Sequence, residues 1–155
     1  MKRRFLMMLI FMLVGIPSAF ASHYDLEDVD LFPEEVATRL TADNVKNTED
    51  LFALLVTKAG REAFVKKYGV SQEEVDFVAH ELELMQIKGI GPKAATLLLK
   101  SGIQDITSLA QASPNELLEN LLRTNRELNI TGVQPDITVT QDWIEKAKKI
   151  ANHIQ

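Results

Sequence analysis

The chain has 155 residues, room for one domain, and a composition of 46% hydrophobic and 25% charged residues, which is that of a globular protein rather than a disordered or fibrous one. It contains no cysteine, so disulfides, thiolate metal sites and lipid attachment through a cysteine are all excluded. With 17 Lys+Arg against 22 Asp+Glu its net charge is −5, the wrong sign for a general polyanion binder.

Residues 1–21 read as a secretory signal peptide. Lys2, Arg3 and Arg4 form a basic head, Phe5 to Ile16 is apolar apart from Gly15, and Ala19-Phe20-Ala21 offers small residues for a cleavage expected after Ala21. The apolar run falls short of the ~20 residues that span a bilayer core, so no stable membrane anchor is expected after cleavage. Losing three basic residues and no acidic one leaves 14 Lys+Arg against 22 acids, or net −8. A periplasmic or secreted protein that holds together by its core alone is the expectation.

Residues 22–31 are polar and acidic and read as a flexible lead-in to a domain over 32–154. Asp30 is placed to cap a helix beginning near Pro33, with Val36 and Leu40 on its apolar stripe. Thr48 reads as the next cap, followed by Glu49 and Asp50 where the helix dipole favours acids, and by Leu51, Leu54 and Leu55 at helical spacing. Lys58 to Tyr68 forms a short helix stopped by Gly69. Ser71 with Glu74 is a capping box that opens a helix striped by Val75, Val78, Leu82 and Met85. After Pro92, Ala95 and Leu98 or Leu99 make a buried face that ends at Gly102, and a helical turn around Leu109 starts at Asp105 or Thr107. Ser113-Pro114-Asn115-Glu116 starts a helix through Leu128. Asn129 to Thr140 reads as a loop, and a last helix carries Trp143, Ala147, Ile150 and Ile154 on one face. No segment alternates in the manner of a strand, so the fold is expected to be all-α, a compact bundle of short helices.

Lys88-Gly89-Ile90-Gly91-Pro92-Lys93 joins the two central helices. Gly89 and Gly91 permit a tight turn through positive φ, Ile90 can plug the core, and Pro92 suits the first position of a helix. The open N–H groups of that helix start, flanked by Lys88 and Lys93, suit a phosphate or a carboxylate. The same residues also make a plain hairpin between helices, and the sequence leaves both readings open.

Pro33, Val36 and Leu40 match Pro92, Ala95 and Leu99 at an offset of 59, and Val45 and Leu51 match Ile103 and Leu109 at 58. On this alignment Asp30-Leu31-Phe32 stands opposite Gly89-Ile90-Gly91, so the first copy lacks the glycines. Gly-Ile-Gly-Pro-Lys-x-Ala, followed by leucines and Gly102-Ile103, resembles a helix-hairpin-helix motif. Together with Thr48-Glu49-Asp50-Leu51, Gly60-Arg61, the run Leu84 to Gly91 and Asp142-Trp143-Ile144-Glu145-Lys146-Ala147, it resembles DUF4332, a bacterial family of domains of unknown function with tandem repeats of this kind. The resemblance runs from about Leu31 to Ile150 and implies an all-helical protein related to nucleic-acid-binding modules, with no activity to transfer. Asn44 stands where the family tends to have glycine, so the first repeat is expected to be degenerate.

Catalytic sets are missing from the sequence. His23 and His153 lie near the two ends, and His80, about 140° from the Val75 stripe, is expected in solvent, so no metal role is expected. Cleavage after Phe20 instead would expose Ala21-Ser22-His23, a copper-chelating amino terminus. Glu73, Glu74, Asp76, Glu81 and Glu83 read as caps and solvated faces of one helix, with no nucleophile or base beside them. Trp143 reads as core, and Arg61 as a side chain binding carbonyls or an acid on another helix. The expected function is a non-enzymatic, extracytoplasmic binding module that contacts a protein partner and uses no cofactor. The alternative is weak, sequence-independent nucleic-acid binding through Lys88, Gly89, Ile90, Gly91 and Lys93.

Overall fold

The computed structural model describes residues 23–150. The expected signal peptide, its cleavage site, His153 and Ile154 lie outside them. The described chain is all-helical: a 3-10 turn at Leu26–Asp28, then α1 (Glu34–Ala42), α2 (Thr48–Leu55), α3 (Lys58–Tyr68), α4 (Gln72–Leu84), α5 (Pro92–Lys100), α6 (Ile106–Gln111), α7 (Pro114–Leu128) and α8 (Ile137–Ala147). Extended pairing among the described residues is confined to one isolated bridge, Asp25 with Asn47. No helix there is long and apolar enough to cross a membrane.

Local chemistry sets most of the boundaries. Ser71 and Glu74 form the reciprocal capping box at α4, and Asp105 with Ser108 forms another at α6. Gly69 ends α3 in the left-handed conformation at φ +74°, where a side chain would be strained. α7 starts at Pro114 as expected, though Ser113 makes no side-chain cap bond. Three helix starts and one stripe residue differ from expectation. Pro33 rather than Asp30 is the N-cap of α1, and no side chain caps it. Asn47 rather than Thr48 caps α2, because Thr48 is turned inward to accept a hydrogen bond from the Tyr24 amide at 3.1 Å. Leu54 is 42% exposed and drops out of the α2 stripe. α8 begins at Ile137, inside the expected loop, because Asp136 caps it by accepting from the Val139 amide at 2.9 Å.

The acidic lead-in is tied to the domain over its described part. The Thr48 amide donates to the Tyr24 carbonyl and the Leu26 amide to the Lys46 carbonyl, each at 2.9 Å, and Leu26 is buried. Arg39 fastens α1 to the far end of α3 by donating to the carbonyls of Lys67 and Tyr68 at 2.6 and 3.0 Å. Tyr68 donates to Asp43 at 2.7 Å, and that bond with the Lys67 ammonium holds the Asp43 carboxyl below its usual range.

A single apolar cluster runs through the domain, from Leu26 and Phe32 through Leu82, Ile90 and Leu98 to Trp143 and Ala147. α2, α3 and α4 pack on one another, α4 on α5, α5 on α7, and α8 on α6 and α7. Hydrogen bonds recur at a constant spacing of 58 residues. Val45 donates to Leu40 and Ile103 to Leu98, and Asn44 donates to Thr41 and Gly102 to Leu99. Lys46 donates to the Asp50 side chain and Gln104 to that of Ser108, while Asn47 and Asp105 cap the helices that follow. Asn44 at φ 65° matches Gly102 at φ 98°. The spacing at α1 is therefore 58, not 59: Leu40 corresponds to Leu98, and buried Phe32 to buried Ile90.

Candidate functional site

The turn between α4 and α5 is built from the end of α4. Gln86 and Ile87 tighten it by donating to the carbonyls of Glu83 and Leu84, and Ile90 closes it by donating to Ile87, each at 3.0 Å. Gly89, at φ +99°, sits where a side chain is strained. Gly91 does not share that conformation. Its backbone is extended at φ −91°, and a Cβ there would lie 3.0 Å from the Tyr24 hydroxyl, a close approach to the end of a side chain. Pro92 is the first residue of α5, and no side chain caps that helix.

α8 covers the carbonyl edge of the turn. Trp143 Nε1 donates to the Gly89 carbonyl at 3.2 Å, and Lys146 Nζ donates to the Lys88 carbonyl at 2.9 Å while pairing with Asp142. Trp143 is buried as expected, with its N–H satisfied. Of the expected phosphate-binding residues, Lys88, Gly89 and Lys93 are exposed and Gly91 is half-buried, all on one turn. Ile90 is 0% exposed and cannot touch a ligand; it anchors the turn from below. Residues 84–104 contain no acid, and the carboxylate that α8 brings to the turn, Asp142, is paired with Lys146.

Beside the turn lies a groove of about 370 Å³, with Gly91, Pro92 and Leu97 on one wall and Val133, Val139 and Trp143 among the residues opposite. Val133 is 82% exposed and Val139 38%. Asn125 shapes this wall by donating to the Thr131 carbonyl at 2.8 Å and accepting from its amide at 2.9 Å. Sequence reasoning missed the groove, because residues 131–139 meet the turn only through tertiary packing.

The acids before the turn are not all solvated. Glu73 and Glu74 are exposed, but Glu81 and Glu83 are 4% and 0% exposed. Glu81 hydrogen-bonds with Thr96 of α5, and burial pushes its carboxyl up to about 7. Neither oxygen of Glu83 has a hydrogen-bond partner; the nearest basic group is His80 Nδ1, 3.5 Å from Oε2, also without one. His80 is half-buried rather than solvated. Arg61 behaves as expected, donating to Asp76 at 2.7 Å and to the Leu55 carbonyl at 3.1 Å. Among the described residues no group of three or more His, Asp or Glu is placed to hold a metal.

No curated protein and no solved structure matches the chain. The family model DUF4332, described as a domain of unknown function, matches residues 32–150. That span takes in α1 to α8, the turn and the groove wall, and the chain belongs to the DUF4332 family.

Proposed function

We propose that this protein is a non-enzymatic, extracytoplasmic helical module that binds a protein partner in the groove beside the 85–91 turn. The observation that supports it is the exposed apolar wall at Val133 and Val139, set against a rim carrying Lys93, with exposed Lys88 on the adjoining turn. An apolar floor with a charged rim is the anatomy of a protein-binding patch. Its complement is a partner segment with an apolar side chain flanked by carboxylates. The protein used as bait on an extract of its own extracytoplasmic compartment is expected to enrich one protein. Val133→Asp is expected to abolish that enrichment, and Lys88→Glu with Lys93→Glu to weaken it at least tenfold. Enrichment of nothing, or capture indifferent to Val133→Asp, refutes the proposal.

A second reading has its own support. The start of α5 carries no side-chain cap and lies between two exposed lysines, which suits phosphate contact by backbone N–H groups. Under this reading duplex DNA binds weakly, with a salt slope near −0.9 per phosphate neutralised, and the double glutamate variant loses binding. Equal DNA affinity in that variant rules it out.

A further inference from the structure

The two helices joined by the turn are linked by one charged side chain. Glu81 Oε1 on α4 contacts Thr96 Oγ1 on α5, and the same hydroxyl lies 2.9 Å from the Pro92 carbonyl. A threonine hydroxyl has one proton to donate. Both contacts are hydrogen bonds at once only when Glu81 supplies the proton of the first: Glu81 donates to Thr96, and Thr96 donates to Pro92. Ionised Glu81 takes the Thr96 proton for itself, and the Pro92 carbonyl, next to Gly91, loses its second donor and keeps only the helical bond from the Thr96 amide. It also becomes a buried anion, which is unfavourable without a close cation.

The charges around Glu81 do not supply one at contact distance. Lys100, one turn beyond Thr96 on α5, is the charged residue whose field acts on it, and its ammonium lies over the Phe77 ring at 4.7 Å. α2 and α3 also pack on α4. Arg61 of α3 is held by Asp76, and Glu49 and Asp50 of α2 are exposed at its first turn. On α4 itself, His80 and Glu83 are rotated about 100° and 160° away from Glu81. Burial of Glu81 places its titration near neutral pH, where the proton count has a consequence.

We propose that the Glu81–Thr96 contact is a proton-controlled latch on the 85–91 turn, closed when Glu81 is protonated and loosened when it is ionised. As a property of the turn it stands alone; as regulation of the groove it rests on the binding-module reading, with partner affinity falling as the compartment becomes alkaline.

The test follows the backbone amides of residues 88–95 by NMR from pH 5.5 to 8.5, with exchange rates corrected for base catalysis. In the wild type the Ile90 and Ala95 amides, hydrogen-bonded to the Ile87 and Gly91 carbonyls, are expected to titrate with a midpoint near 7. Their protection is expected to fall roughly tenfold, the share of a shift of one unit or more that reaches the turn. Glu81→Gln keeps a donor to Thr96 and is expected to be flat and closed, His80→Gln to titrate as wild type does, and Thr96→Val to be loose at every pH. The latch is overturned if the titration persists in Glu81→Gln, vanishes in His80→Gln, or is absent from the wild type. Partner capture at pH 6 and pH 8 separates the two proposals. A titrating turn with no protein captured refutes the binding role and leaves the latch. Capture by a turn that does not titrate refutes the latch alone.

Discussion

Glu83→Met should make this protein more stable. Glu83 is 0% exposed, and both its oxygens lack a hydrogen-bond partner. The one basic group near it, His80 Nδ1, is 3.5 Å away and is without a hydrogen-bond partner too. A buried polar group left unpaired costs about 1–3 kcal/mol relative to the same group in water. Methionine has nearly the same length and volume, carries no group to desolvate and adapts to irregular packing. The substitution should therefore raise unfolding free energy by about 1–3 kcal/mol, a Tm increase of roughly 4–10 °C for a domain of this size. Urea unfolding with an unchanged m-value measures it, beside Glu83→Gln, which keeps a buried polar head and should gain less than about 1 kcal/mol. Destabilisation by Glu83→Met of more than about 1 kcal/mol refutes the reasoning, because it means that the carboxyl is paired in the folded protein.

Three further outcomes follow from local geometry. The folded Glu81 carboxyl is raised from 4.5 to about 7, so the folded state holds a proton that the unfolded chain has lost, and stability falls as pH rises from 4.5 to 7. In Glu81→Gln that fall, about 3 kcal/mol, should disappear, as read from urea midpoints at pH 5 and pH 8; equal pH dependence in the two proteins contradicts it. Gly89→Val forces a β-branched residue to φ +99° and should cost at least about 2 kcal/mol in thermal unfolding. Gly91→Ala meets only the end of the Tyr24 side chain and should cost under about 1 kcal/mol, so a reversed order refutes the separate roles given to the two glycines. Asn44 sits at φ 65°, so Asn44→Gly should fall within about 0.5 kcal/mol of wild type while Asn44→Val loses about 1–2 kcal/mol.

Where a residue's role is settled within one turn of chain, the sequence displayed it. The Ser71–Glu74 box, the Gly69 stop and the Pro114 start are all local chemistry, and all stand where expected. The start of α8 was hidden because Ile137, Thr138, Val139 and Thr140 favour helix weakly, and packing on α6 and α7 overrides that preference. Thr48 looked like a cap until Tyr24, far away in sequence, claimed its hydroxyl. The acids of α4 were misread for a related reason. Charge along one helix says which face each residue occupies, but not that α5 covers Glu81 or that Glu83 is sealed without a partner. The candidate site was half legible: Lys88, Gly89, Gly91 and Lys93 could be picked out by motif, whereas Trp143, Lys146 and Val133 reach the turn only through the fold.

The groove's role is tested most directly by photo-cross-linking in intact cells. A photoreactive residue in place of Val133 reports what touches the groove wall, and one in place of exposed Lys66 on α3 serves as the control. The account predicts one protein adduct from position 133, lost when Lys88 and Lys93 are both glutamate and absent from position 66. No adduct at 133, or the same adduct from both positions, would contradict it.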